Sequence, residues 1–81
     1  MRIAGLRLGA PVARLLVQIL DEAGFQDTAA RISQAIELRV TTEAPLTLAD
    51  HEAILSALGD RCPPELYRLR RELLEEQRRL R

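Results

Sequence analysis

Apolar residues recur at spacings of three and four along four stretches of the chain, and glycine or proline separates the stretches. This spacing places apolar side chains on one face of a helix. The first stretch begins near Pro11, a residue favoured in the opening turn of helices, and stops at Gly24, which suits the left-handed position that closes a helix. The spacing therefore predicts that the chain folds as a set of short amphipathic helices.

Three further helices follow the first. The second is predicted over residues 28–37, with Asp27 as its N-cap. Thr47 and Asp50 have the spacing of a capping box, which opens a third helix that ends at Gly59. The fourth helix is predicted to run from Pro64 to near the C-terminus. Because each helix has one apolar stripe, we expect an all-α fold of two αα-hairpins packed face to face.

The segment between the second and third helices has a different period. In residues 38–43, Leu38, Val40 and Thr42 alternate with Arg39, Thr41 and Glu43, and residues 40–42 are a β-branched run that disfavours helix. Residues 2–8 are a possible partner for this segment. Two outcomes stay open: a minor two-stranded ribbon between these segments, or an extended crossover without pairing.

At 81 residues the chain has room for a single domain, predicted to span residues 1–81. Its two halves, residues 6–37 and 46–75, repeat the order of extended piece, helix, turn and helix. This order is typical of an internal duplication, but two unrelated amphipathic hairpins match in the same way. The duplication therefore stays one of two interpretations.

The formal net charge is zero, but the charge is unevenly distributed. Residues 1–20 hold three Arg and no acid, residues 21–60 hold eight acids and two Arg, and residues 61–81 hold seven Arg and four Glu. An acidic middle between basic ends lacks the unbroken positive field of a general nucleic-acid binder, and its parts can attract each other within or between chains. A single cysteine and the lack of a long apolar run predict a soluble, cytoplasmic protein.

The residues with catalytic potential do not form a recognisable site. His51 lies between Asp50 and Glu52, but adjacent residues on a helix point in different directions and cannot converge on one atom. Cys62 is the single cysteine, so no second thiol is present to form a disulfide or to chelate a metal. We therefore predict no enzymatic activity, and no metal, cofactor or small-molecule substrate.

The C-terminal helix is the best candidate for a partner surface. Its apolar stripe is wider than one neighbouring helix would cover, and Arg and Glu flank it, as at many helix–helix contacts. The alternative for its first leucines is an ordinary core face. The predicted function is a small non-catalytic protein–protein interaction module that binds itself or another protein. The candidate contact residues are Leu66, Tyr67, Leu73, Leu74 and Leu80.

A second hypothesis is a small DNA-binding regulator or antitoxin-like protein. Residues 21–37 carry a helix–turn–helix pattern with Arg31 on the second helix, and the C-terminus is rich in arginine. However, residues 21–37 hold four acids against one Arg, which would repel phosphates. The candidate nucleic-acid-binding residues are Arg31, Arg78, Arg79 and Arg81.

Overall fold

A computed structural model describes residues 1–79, and these residues form four α-helices and a small antiparallel ribbon. The fold class predicted from the spacing of apolar residues is therefore confirmed. The strands are β1 (Arg2–Ile3) and β2 (Leu6–Arg7). The helices are α1 (Ala10–Glu22), α2 (Gln26–Glu37), α3 (Leu48–Leu58) and α4 (Tyr67–Arg79), and the turns Gly59–Arg61 and Pro64–Leu66 between α3 and α4 are 3₁₀.

The first hairpin turns at Gly24, which takes the left-handed conformation with φ of 90°. The amide of Phe25 donates to the carbonyl oxygen of Leu20 at 2.9 Å, and the amide of Gly24 donates to that of Asp21 at 3.1 Å. These two bonds are the Schellman pattern of a helix C-terminus. They hold the backbone of Phe25 against the last turn of α1.

The start of α2 differs from the prediction. Asp27 was expected to be the N-cap, but α2 begins at Gln26 and Phe25 occupies the N-cap position. Because the Schellman bond holds Phe25 against the end of α1, the next helix begins directly after Phe25, two residues before the predicted start at residue 28. Asp27 instead lies in the first turn of α2, where its negative charge interacts favourably with the positive end of the helix dipole.

Both strands of the ribbon come from the N-terminal segment, with Arg2 opposite Arg7 and Ile3 opposite Leu6. The predicted pairing between residues 2–8 and 38–48 is limited to a parallel bridge between Arg2 and Glu43. The reason is local: the intervening Ala4 and Gly5 have φ of 52° and 77° and so form a tight hairpin turn. A hairpin closes a shorter loop than a pairing across α1 and α2 would.

The second half of the chain follows the prediction closely. α3 begins with the capping box of Thr47 and Asp50 and is capped at its C-terminus by Gly59. The predicted start of the fourth helix at Pro64 is a 3₁₀ turn, and regular α-helix begins at Tyr67. Leu80 and Arg81 lie outside the described residues.

One apolar core joins all four helices and the ribbon. α1 contacts α2, α3 and the turn Pro64–Leu66, while α4 packs on α3. This arrangement fits two hairpins, α1–α2 and α3–α4, closed against each other. The large apolar residues with the least exposure are Ile3, Leu16, Leu20, Ile32, Ile54, Leu58, Leu66, Leu69 and Leu73.

Candidate interaction site

A buried carboxylate lies where α2 meets α3. Asp50 is the third residue of α3 and is only 2% exposed. Burial of a charged group is costly unless the group is hydrogen-bonded and paired with an opposite charge. The surroundings of Asp50 meet both conditions.

Three groups satisfy this carboxylate. The Thr28 hydroxyl donates to Oδ1 at 2.6 Å, and the Arg31 guanidinium forms an ion pair with the same oxygen. The backbone amide of Thr47 donates to Oδ2 at 2.9 Å, while the Thr47 hydroxyl accepts from the amide of Asp50 at 3.2 Å. We call these four residues the Asp50 network. It ties two positions on α2 to the first turn of α3.

The network changes the acidity of its central group. Burial by itself would raise the pKa of Asp50. The hydrogen bonds from Thr28 and Thr47 and the positive charge of Arg31 outweigh burial, so the pKa lies below its ordinary value of 3.8. Asp50 is therefore ionised at neutral pH, and its charge is compensated by Arg31.

A groove of about 710 Å³ opens beside this network, between the N-terminal halves of α2 and α3. We call it the α2–α3 groove. Its lining includes two exposed acids, Asp27 and Glu52, and apolar groups from Phe25, Ala49 and Ala53. Because the Asp50–Arg31 pair is internally neutral, the remaining charged groups of the lining are negative.

The outer side of α4 has the opposite character. Tyr67 and Leu74 are 57% and 42% exposed, and Arg71 and Arg78 are also exposed. These four residues are spaced by four, three and four, so they follow one line along the helix. We call them the α4 face. It combines two large apolar side chains with two cations.

The structure divides the predicted partner residues into two groups. Leu66 and Leu73 are buried in the core of their own chain, which corresponds to the alternative of an ordinary core face. Tyr67 and Leu74 lie on the α4 face. Leu80 lies outside the described residues. Among the predicted contact residues that the structure describes, Tyr67 and Leu74 are thus the accessible ones.

The residues predicted to bind nucleic acid do not form one surface within residues 1–79. Arg31 lies on α2 and is bonded to Asp50, although its side chain remains 46% exposed. Arg78 belongs to the α4 face, and Arg79 is the exposed last residue of α4. Arg81 lies outside the described part.

His51 and Cys62 are both half-buried. Nδ1 of His51 lies 3.9 Å from Oε2 of Glu76, so this contact joins α3 to α4 rather than joining the histidine to its neighbours in the chain. Burial raises the pKa of the Cys62 thiol, and the positive charge of Arg70 only partly opposes this effect. A raised pKa lowers the thiolate fraction and hence the reactivity of the thiol.

Two structural searches of residues 1–79 gave negative results. No group of three or more His, Cys, Asp or Glu side chains in that range could hold a metal ion. Among the helices of the same range, none has the length and apolar character needed to cross a membrane.

Sequence reasoning missed the Asp50 network. Arg31 was predicted as a candidate nucleic-acid contact on the second helix, and Asp50 only as part of the capping box. One signal was available: Thr28 precedes the buried Ile32 by four residues and therefore shares its face of the helix. The bond to Asp50 spans 22 positions in the chain, and no local pattern indicates it.

Comparisons of the chain with protein-family models, with curated proteins and with solved structures found no match.

Proposed function

We propose that this chain is a small non-catalytic interaction module that associates with further copies of itself through the α4 face. The observation that carries the proposal is the exposure of Tyr67 and Leu74 on one line of α4. A single exposed apolar residue is ordinary on protein surfaces. Two large apolar side chains aligned with arginines have the composition of a protein–protein interface, because aromatic residues and Arg are enriched there.

The opposite side of α4 supports the same proposal. Leu66, in the turn before the helix, and Leu69 and Leu73 within it are buried in the core. Burial on this side holds the helix in place, so Tyr67 and Leu74 are presented on an ordered element. A surface that is already ordered loses less conformational entropy when it binds. Neither side chain is needed to cover the core of its own chain.

A substitution at Leu74 tests the proposal. Leu74→Glu places a charge in the middle of the α4 face, and we expect it to abolish association. Leu38→Glu is the matched control, because Leu38 is 68% exposed and lies at the C-terminal end of α2, outside the α4 face. Sedimentation equilibrium should give a mass that rises above 9.1 kDa with concentration for the unmodified chain and for Leu38→Glu. Leu74→Glu should remain at 9.1 kDa with an unchanged circular dichroism spectrum.

Two results would contradict self-association. One is an unmodified chain that stays at its monomer mass up to about 1 mM, a concentration at which even weak contacts are populated. The other is a Leu74→Glu variant that associates as strongly as the Leu38→Glu control.

The DNA-binding hypothesis has one supporting observation. α4 carries five arginines and three glutamates over Tyr67–Arg79, so the helix is basic. Two of the arginines belong to the α4 face itself. A mobility shift with random duplex DNA at low ionic strength separates the two functions, because phosphate contacts are strongest when little salt is present. A shift that Arg71→Glu removes and Leu74→Glu leaves unchanged would favour DNA binding over self-association.

A further inference from the structure

We infer that the α4 face of one copy docks into the α2–α3 groove of the next copy, so that the chain assembles head to tail. The inference rests on the proposed self-association and adds the surface that receives α4. It follows from the charges of the two surfaces and from their different positions in the fold.

The charge of the α4 face opposes its pairing with itself. A two-fold contact would bring the line of Arg71 and Arg78 close to the same line of the second copy, and the exposed Glu75 beside Arg71 offsets only part of this positive charge. Like charges placed across an interface are strongly unfavourable. A partner surface with exposed acids and an apolar floor fits this face better.

The α2–α3 groove has these properties. Asp27 and Glu52 are exposed along it and can pair with Arg71 and Arg78, while Phe25, Ala49 and Ala53 offer apolar contact to Tyr67 and Leu74. Its volume of about 710 Å³ lies within the roughly 300–1,000 Å³ of pockets that enclose ligand-sized groups. The groove can therefore receive two side chains and exchange charge contacts at its edges.

The Asp50 network contributes to the groove in two ways. It neutralises Arg31, which would otherwise place a positive charge in the lining and repel the α4 face. It also ties Thr28 on α2 to Asp50 on α3, so the spacing between the two walls is set before docking. A preformed groove binds at a smaller entropic cost than one that must be ordered.

The two surfaces lie on different parts of one chain. The α4 face is on the side of α4 away from the core, so it is not directed at the groove of its own copy. A contact between two different surfaces is heterologous. When two copies pair in this way, the groove of one copy and the α4 face of the other stay unoccupied. Association therefore continues beyond a dimer, into a closed ring or an open chain.

Mixing two defective variants tests this geometry directly. Leu74→Glu loses the α4 face and keeps the groove. Asp27→Arg combined with Glu52→Arg reverses the charge of the groove and keeps the α4 face. Each variant alone should stay at 9.1 kDa, whereas an equimolar mixture should form a species of twice that mass and nothing larger. The mixture contains only one productive contact, between the groove of the first variant and the α4 face of the second.

A second groove variant covers the case in which the double charge reversal unfolds the chain. Ser56→Arg places a cation at an exposed position of the groove lining. This position is near the C-terminal end of α3, away from the first turns of α2 and α3. The substitution should weaken association of the chain about tenfold or more, because it places a like charge opposite Arg71 and Arg78 across the contact. An equimolar mixture of Ser56→Arg and Leu74→Glu should again form a species of twice the monomer mass.

The outcomes separate the two proposals. If the groove variants associate as the unmodified chain does and mixing them with Leu74→Glu adds nothing, the contact is α4 against α4 and the head-to-tail inference is overturned, while self-association stands. If the unmodified chain is a monomer, both proposals fail. A heterodimer that appears only in the mixture supports both.

Discussion

The two contacts that α3 makes with α2 and with α4 depend on different forces. At the first turn of α3, Asp50 is joined to α2 by a short hydrogen bond from Thr28 and an ion pair with Arg31. Along the body of α3, Ile54 and Leu58 belong to the same apolar core as Leu69 of α4. The α2 contact adds a localised polar network to the apolar core that all four helices share, whereas the α4 contact is mainly apolar, apart from the approach of His51 to Glu76.

The α3–α4 contact mainly stabilises the fold, whereas the polar α2–α3 contact mainly fixes how the two helices are positioned. Apolar burial is non-directional and roughly proportional to area, so the α3–α4 contact supplies free energy without requiring one register. Hydrogen bonds to Asp50 demand specific distances and angles, so the α2–α3 contact is satisfied in one arrangement of the two helices. The structure thus predicts larger losses of stability from apolar truncation, and pH-dependent losses only from the polar contact.

The largest effect is expected from Leu69→Ala. Leu69 is almost fully buried in the core, and removing three carbons there leaves a cavity in addition to the lost burial. We expect the free energy of unfolding to fall by about 3 kcal/mol, within the roughly 2–5 kcal/mol range for such truncations. Urea unfolding followed by circular dichroism measures it. Arg68→Ala, at the exposed neighbouring position, is the control and should change the free energy by less than about 0.5 kcal/mol. Equal losses in the two variants would contradict the packing described for α4.

A somewhat smaller effect is expected from Asp50→Ala. The substitution removes the capping box and leaves the Thr28 hydroxyl and the Thr47 amide without their acceptor. Arg31 is half-exposed and can return to water, so an unpaired buried charge is not created. We expect a loss of about 2 kcal/mol, from the lost cap and the unsatisfied donors together. Asp27→Ala, which removes an exposed acid from the first turn of α2, should cost no more than about 0.5 kcal/mol. A loss at Asp50 no greater than that at Asp27 would show that the network adds no stability.

The smallest effect is a pH dependence to which Asp50 contributes. Its pKa is lower in the folded chain than its ordinary value of 3.8, so its ionised form stabilises the fold. This contribution is fully present above pH 3.8 and is lost as the pH falls through the lower folded value. The stability difference between the unmodified chain and Asp50→Asn should therefore shrink as the pH falls from about 6 to about 2. A difference that stays constant over this interval in urea unfolding would contradict the lowered pKa.

Prediction from the sequence succeeded where the signal was local. The capping box of Thr47 and Asp50 lies within four residues, so the start of α3 was predictable. Gly24 directly follows the last turn of α1, so the end of that helix was predictable too. It failed for contacts between distant residues. The possible strand pairing between residues 2–8 and 38–48 is reduced to the bridge between Arg2 and Glu43, because residues 2–7 pair with each other as a hairpin. The N-cap of α2 differs from the prediction because Phe25 is bonded back to α1.

The candidate site was only partly predictable for the same reason. Tyr67 and Leu74 were among the predicted contact residues and are exposed, but Leu66 and Leu73 were grouped with them and are buried. Helical spacing puts Leu73 on one stripe with Leu66 and Leu69, which left a core face open as the alternative. Only the position of the neighbouring helices shows that this stripe is covered and that Leu74 beside it is exposed. The groove was not predicted, because its walls come from two helices that a 10-residue linker separates.

The sequence by itself determined that this chain forms four amphipathic helices and where most of them begin and end, because helix spacing, capping and glycine turns depend on residues within one or two turns of each other. Only the tertiary structure decided which leucines of α4 are covered and that Arg31 neutralises Asp50 rather than facing solvent as a free cation. Those outcomes depend on which distant surface approaches a side chain. Burial and ion pairing are therefore set by contacts between distant parts of the chain and not by the residue type alone.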